Sequence, residues 1–297
     1  MGMGDLSRRL IEPGPAHRPR RVVYALPTLF TAGNIFLGFL AILRSVEGVV
    51  AAMSGNTGPN PHFAFAALMI ICAVVLDALD GRVARMTGTT SDFGRELDSL
   101  ADAITFGLAP AVLAYCWGVQ AAIQAAEVQN AEPLRRVGLF VTFLFLACGA
   151  ARLARFNIQK DPVPKNPGKP DRKYFVGLPI PAAAGLICAI IYAAGGAPPA
   201  FWPLAYAWLL LIALLSFLMV STWRYRSFKE LQTSRPRLLL IVFSLSLALL
   251  AWFTEPTLLT LTIAYVLSGI VIRVGGAIRR IFRHTPPNPP QPERQIG

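Results

Sequence analysis

The sequence predicts an all-α fold: a polytopic integral membrane helical bundle of about eight transmembrane helices. Three observations predict it: a composition poor in charge, a series of apolar runs long enough to span a bilayer, and positive charge concentrated in alternate connections. Of 297 residues, 54% are hydrophobic and 15% are charged, where a soluble domain carries about 25% charged residues. The mean hydropathy is +0.51. This excludes an ordinary soluble globular protein. The formal net charge of +12 raises the question of nucleic acid, but the basic residues flank the apolar runs, so membrane lipids are expected as partners and nucleic acid is not.

A helix needs roughly 20 apolar residues to cross about 30 Å of hydrocarbon. Such runs occupy 23–44, 63–82, 99–119, 137–155, 177–197, 201–222, 237–254 and 256–274. Before the first stand Arg8, Arg9, Arg18, Arg20 and Arg21, in a basic segment 1–22. The first run is long and no small-residue cleavage site follows it, so it reads as a retained span. Arg82, Arg85 and Arg95 lie between the second and third runs, and Arg152, Arg155, Lys160, Lys165, Lys169, Arg172 and Lys173 follow the fourth. Arg224, Arg226, Lys229, Arg235 and Arg237 separate the sixth and seventh, and Arg279, Arg280 and Arg283 follow the eighth. The intervening connections hold few basic residues, with Arg135 and Arg136 the main exception. The positive-inside rule then makes both termini cytoplasmic, in a cell (cytoplasmic or inner) membrane. The last two runs are joined by Phe253-Thr-Glu-Pro256 and form a hairpin within 231–283, and the proline-rich 284–297 reads as a disordered tail.

Chemistry concentrates between residues 77 and 102, which read Asp77-Ala-Leu-Asp80-Gly81-Arg-Val-Ala84-Arg85, eight residues, then Gly94-Arg-Glu-Leu-Asp98-Ser-Leu-Ala-Asp102. Carboxylates beside hydrocarbon are costly and mark function by default. Helical spacing puts Asp77, Asp80/Gly81 and Ala84/Arg85 on one stripe at the end of the second span, and Gly94, Asp98 and Asp102 on another at the start of the third. A short connection makes the two helices antiparallel neighbours, so the stripes can face each other at the cytoplasmic boundary. Oxygen ligands without His or Cys favour magnesium or manganese over zinc, and four aspartates can hold two ions. The glycines leave room for a ligand, and Arg85 suits a phosphate. A purely structural role would need Arg82, Arg85 and Arg95 to neutralise all four aspartates, which their positions make difficult. Asp92 and Glu96 fall on other faces and read as solvated. None of the three histidines lies near the cluster, so a general base falls to an aspartate; the four cysteines sit in apolar runs and read as packing residues.

The pattern Asp-x2-Asp-Gly-x2-Ala-Arg-x8-Gly-x3-Asp-x3-Asp, met at every fixed position from Asp77 to Asp102, resembles the signature of the CDP-alcohol phosphotransferase family. Further segments resemble the bacterial serine-using branch of that family: Leu26–Asn34, Asp98–Pro110, Arg152–Asn157, Tyr174–Ala182 and Ser221–Phe228. The resemblance covers most of 23–230. It implies a six-helix transmembrane core, with the C-terminal hairpin added to it, and a homodimeric, metal-dependent enzyme. The implied reaction moves the phosphatidyl group of CDP-diacylglycerol to L-serine with release of CMP. By the same resemblance Asp77, Asp80, Asp98 and Asp102 bind two metal ions, and Asp102 accepts the proton. Gly81 and Arg85 would contact the CDP moiety, with Ser91, Asn34 and Gly94 as helpers. Serine needs a cation for its carboxylate and an acceptor for its ammonium; Arg152 and Arg155 are the candidates for the carboxylate, with positive-inside topology as their competing reading, and Asn157 is a further polar contact. The connection 120–136 is longer than the resemblance leads one to expect.

Two other readings compete. Glycerol 3-phosphate or choline would give the same reaction class, since arginine binds phosphate and carboxylate alike. A divalent-cation transporter is a different class, but transporters set their ionisable groups near the midplane across broken helices, whereas these aspartates sit at one face in two consecutive segments.

Overall fold

The computed structural model describes residues 21–87, 92–160, 174–221, 224–226, 259–260 and 262–267. The first apolar run becomes α1 (Arg21–Met53), longer than the sequence predicts because helix continues past Arg44. There Arg44 pairs with Glu47 at 2.7 Å, one turn away, and lies 5.2 Å from the centre of the Phe65 ring. The second run is α2 (Pro61–Thr87), packed antiparallel along α1.

The third span is one continuous rod with changes of winding: α3 (Asp92–Asp102), a π-helical stretch Ala103–Leu108, α4 (Ala109–Tyr115), a second π-helical stretch Cys116–Ala121, and α5 (Ala122–Ala125). It is the central helix, with most of its residues buried where the other spans bury less than half. The connection expected over 120–136 is therefore short, because helix runs to Ala125 and α6 (Glu132–Lys160) begins seven residues later. Arg135 and Arg136, the exception in the charge alternation, face Glu132 at 3.6 and 3.7 Å on one helical turn.

Two shorter apolar segments follow, α7 (Ile180–Ala193) and α8 (Trp202–Val220). Among the described residues, five helices are long and apolar enough to cross a membrane, and α7 is a shorter apolar helix; the chain is an integral membrane protein. Exposed Phe36, Phe39, Leu139, Phe140, Phe143, Leu210 and Phe217 form the apolar outer surface, as expected where the solvent is lipid. The seventh run lies outside the described residues, and of the eighth residues 259–260 and 262–267 are helical. Of the basic segment 1–22 only 21–22 are described, as the start of α1, and the tail 284–297 lies outside.

Core packing brings the rods together through aromatic side chains. Trp117 and Trp208 meet edge to face with centroids 4.9 Å apart. Trp208 donates its indole N–H to the Ala114 carbonyl at 3.1 Å, and Trp117 to the Ala197 carbonyl at 3.0 Å. Buried Trp and its N–H are both satisfied, so the pair joins α4, α8 and the α7–α8 connection without an unpaired donor.

The ends of α2, α6 and α8 and the starts of α3 and α7 gather on one face of the bundle. A small antiparallel ribbon, β1 (Tyr174–Val176) with β2 (Arg224–Arg226), lies there in the register Phe175 opposite Tyr225. The purely helical expectation does not include it. Gly177 follows at φ +80°, where a Cβ would collide with the Met219 carbonyl; the left-handed conformation and the close approach both require glycine. The Leu178 N–H then donates to the Leu218 carbonyl at 3.0 Å, fastening the entry of α7 to the exit of α8.

Candidate active site

Asp77 stands on α2 and Asp98 and Asp102 on α3, all three half-buried. One carboxylate oxygen from each lies within 4.8 Å of the others. The two stripes predicted from helical spacing do face one another. Three carboxylates this close repel strongly where water is scarce, and a cation relieves that repulsion. Ligands of one octahedral magnesium ion lie at most about 4.2 Å apart, so small side-chain rotations bring the three oxygens into one shell. The donor set is all oxygen and anionic, which fits a hard divalent cation.

Asp80, Gly81 and Arg85 fall within α2, on the stretch that continues from Asp77; their side chains are outside the described part of the structure, and Ser91 lies wholly outside it. Gly94 is on α3, one turn before Asp98.

On α1, Asn34 lies where this helix meets α2 and the stretch after Asp102. A Cβ on its neighbour Gly33 would touch Leu76, next to Asp77, at 3.4 Å. On the other side, the Thr105 hydroxyl donates to the Asn34 carbonyl at 3.0 Å. Thr105 belongs to the π-helical stretch that starts directly after Asp102. Asn34 is 2% exposed, and its Oδ1 has no hydrogen-bond partner among the described residues. A buried amide oxygen left open is costly unless a ligand or water uses it. The contact is close because residue 38 is glycine: a Cβ there would stand 2.8 Å from Thr105 Oγ1 and 3.0 Å from Thr105 Cα.

The three acceptor candidates from α6 separate. Arg152 is half-buried and interacts electrostatically with Asp102, and its Nε is buried without a hydrogen-bond partner among the described residues. Arg155 is exposed and donates to the Val220 carbonyl at 3.1 Å, so it satisfies a terminal carbonyl of α8. Asn157 donates to Ser99 Oγ at 2.9 Å, and Ser99 in turn donates to the Arg95 carbonyl at 3.2 Å. That chain clamps the end of α6 to the turn of α3 between Gly94 and Asp98.

Sequence reasoning does not single out Thr105, Ser99 or Tyr265. Tyr265 interacts electrostatically with Arg152. A lone tyrosine in an apolar run carries no spacing signal; Thr105 is detectable only as a polar residue one turn beyond Asp102.

Comparison with known proteins gives the family. The family profile of the CDP-alcohol phosphatidyltransferases matches residues 24–220. The chain is 34% identical over 271 residues to a CDP-diacylglycerol–serine O-phosphatidyltransferase of Helicobacter pylori (strain J99), covering 89% of this chain and 94% of that one. A protein of the same name from Methanocaldococcus jannaschii is 33% identical over 241 residues, covering 80% and 94%. An archaetidylserine synthase of Methanothermobacter thermautotrophicus is 34% identical over 203 residues, covering 68% and 69%.

Proposed function

This chain belongs to the CDP-alcohol phosphatidyltransferase family, and on that premise we propose that it makes phosphatidylserine, transferring the phosphatidyl group of CDP-diacylglycerol to the hydroxyl of L-serine and releasing CMP. The observation that carries serine as acceptor is the half-buried Arg152 of α6, whose Nε is buried without a hydrogen-bond partner among the described residues and whose charge acts on Asp102. It puts a cation suited to a carboxylate beside the group suited to take a hydroxyl proton. The relatives' names support the same acceptor, since a phosphatidyl and an archaetidyl enzyme differ in lipid and share serine. Choline offers no anion to Arg152; glycerol 3-phosphate does, and is the acceptor to test against.

In the proposed mechanism Asp102 accepts the proton of the serine hydroxyl as its oxygen attacks the phosphorus bonded to diacylglycerol. The bond from that phosphorus to the CMP phosphate breaks, and CMP leaves with the electron pair. Among the described residues the acidic group includes no Cys or His, which favours direct displacement over a covalent intermediate. Asp77, Asp80, Asp98 and Asp102 would hold magnesium or manganese, as two ions on four carboxylates, and such ions neutralise phosphate oxygens as charge builds on the leaving group. Gly81, Arg85, Ser91, Gly94 and the open Oδ1 of Asn34 are proposed to receive the CDP moiety. Arg152 orients serine by its carboxylate, while Arg155 and Asn157 hold the mouth of the site in shape.

The basic residues flanking this face argue that it is cytoplasmic, with both termini on the same side of a cell (cytoplasmic or inner) membrane. CDP-diacylglycerol would then enter laterally, tails in lipid and head at the aspartates. The unit proposed is a homodimer, with a core over 23–230 and an added hairpin over 231–283.

The deciding experiment supplies the purified protein with CDP-diacylglycerol, magnesium or manganese, and labelled serine, glycerol 3-phosphate or choline in parallel. Release of CMP with labelled phosphatidylserine is the expected result. Product from another alcohol and none from serine would overturn the acceptor while leaving the reaction class.

A further inference from the structure

The connection between α5 and α6 closes the end of the central helix away from the aspartates. The helical chain from Asp102 to Ala125 rises roughly 30–35 Å, so this end lies across the hydrocarbon from the candidate active site. A cavity of about 470 Å³ opens there, lined by Gln124, Glu127, Gln129 and Asn130 and, from α6, by Glu132 and Arg135. None of these residues belongs to the proposed transfer site.

At Glu127 the side chain departs from what the backbone favours. The N–H of Val128 donates to the Ile123 carbonyl at 3.2 Å and that of Glu127 to the Gln124 carbonyl at 3.4 Å, the pair of bonds that ends a helix on a left-handed residue. Glycine usually fills that position because a side chain is strained there. Here it is Glu127, at φ +48°, the one non-glycine residue with positive φ among the described residues. Strain of this kind persists where the side chain has a use, and a carboxylate at the cavity is what glycine would lack.

Arg135 supplies the opposite charge. Its Nε is buried without a hydrogen-bond partner among the described residues, and its ion-pair partner Glu132 stands at 3.6 Å, beyond hydrogen-bond length. A buried guanidinium donor left open is costly unless a ligand oxygen or water takes it. Glu132 alone has a simpler account, since an acid is favoured in the first turn of a helix; Glu127 and the open Nε do not. Leu139 and Phe143 follow Arg135 at i+4 and i+8, on the same face of α6, and are 63% and 62% exposed. The cavity thus stands at the head of an apolar, lipid-facing strip.

We propose that this cavity holds the headgroup of a zwitterionic phospholipid from the leaflet opposite the active site, with its phosphate on Arg135, its ammonium on Glu127 and Glu132, and its acyl chains along Leu139 and Phe143. The chemistry matches group by group. Phosphate oxygens accept from the guanidinium, and the ammonium donates to carboxylates and to the amide oxygens of Gln124, Gln129 and Asn130. An anionic headgroup would satisfy Arg135 and give Glu127 nothing to bind; a cationic amphiphile would leave the Arg135 Nε open. A primary ammonium, with three N–H donors, suits the carboxylates better than a trimethylated one, which has none.

The test uses the full-length protein, purified in detergent and offered phosphatidylethanolamine or phosphatidylglycerol of the same acyl chains, with retention read by native mass spectrometry. Wild type is expected to retain phosphatidylethanolamine about tenfold more tightly, the scale of one hydrogen bond to a charged group. Arg135→Gln and Glu127→Gly should each abolish that preference. Glu127→Gly should also melt at or above the wild-type temperature, because glycine relieves the left-handed position; its loss of lipid is then separate from any loss of fold. Glycerophosphoethanolamine, which has the headgroup and no chains, should fail to displace the lipid at the same concentration. Equal retention of the two lipids by wild type would overturn the inference, as would a preference that survives in either variant or displacement by the chainless headgroup. A Glu127→Gly protein that loses the lipid and melts lower would overturn it as well, by making Glu127 a residue of the fold.

Discussion

The hydroxyl of Thr105 donates to the carbonyl of Asn34 at 3.0 Å, a bond between residues 71 apart in the chain. It joins α1 to the π-helical turn that begins after Asp102. The approach depends on Gly38, over which Thr105 sits. Gly38→Val is expected to push α1 away from that turn and to lower turnover at least tenfold, with a loss of roughly 1–3 kcal/mol from overpacking. Thr105→Val, which keeps the shape and removes the bond, should cost about 1 kcal/mol. Thermal unfolding in detergent and CMP release, measured on both variants, check the pair. A Gly38→Val protein with wild-type activity would contradict the close packing.

Asp102→Asn preserves size and removes the proton acceptor. Turnover should fall by about 10²–10⁴, with CDP-diacylglycerol still bound. Single-turnover CMP release beside an equilibrium binding assay separates the two, and full turnover in the variant would remove Asp102 from its proposed role.

Chelation should abolish CMP release, and magnesium or manganese should restore it. Because Asp77, Asp98 and Asp102 each offer one oxygen within 4.8 Å of the others, Asp77→Asn and Asp98→Asn should each raise the metal concentration needed for half-maximal activity by about tenfold or more. Metal titrations of CMP release test this, and an unshifted metal requirement in both variants would argue against a shared cation.

Arg152 and Arg155 are three residues apart on one helix and should answer differently. Arg152→Lys keeps the charge but loses the fork, and is expected to raise the KM for serine by roughly tenfold. Arg155→Gln removes the donor to the Val220 carbonyl, and should lower stability by about 1 kcal/mol with the KM for serine unchanged. Steady-state kinetics and melting temperatures on the two variants give the comparison.

Much of the bundle was legible because its signals are local. Apolar runs near 20 residues mark spans whatever they pack against, and spacing of three and four residues assigns Asp77, Asp98 and Asp102 to stripes before any partner is known. The boundaries were less legible. Helix continues past Arg44 because Glu47 and the Phe65 ring accommodate the charge, and the third span changes winding twice with no hydropathy signal. The ribbon of β1 and β2 joins segments about fifty residues apart, and neither segment alone has the length or alternation of a strand.

The sequence by itself determined that this is a helical membrane protein with carboxylates gathered at one end of two neighbouring spans, since hydrophobic length and helical phase are properties of contiguous residues. Only the tertiary structure decided which arginine of α6 turns toward Asp102 and which closes the end of α8. It alone joined Asn34 of α1 to Thr105, just past Asp102. Those choices depend on packing between residues far apart in the chain, where a glycine at 38 sets how closely α1 approaches Thr105 and no periodicity records the result.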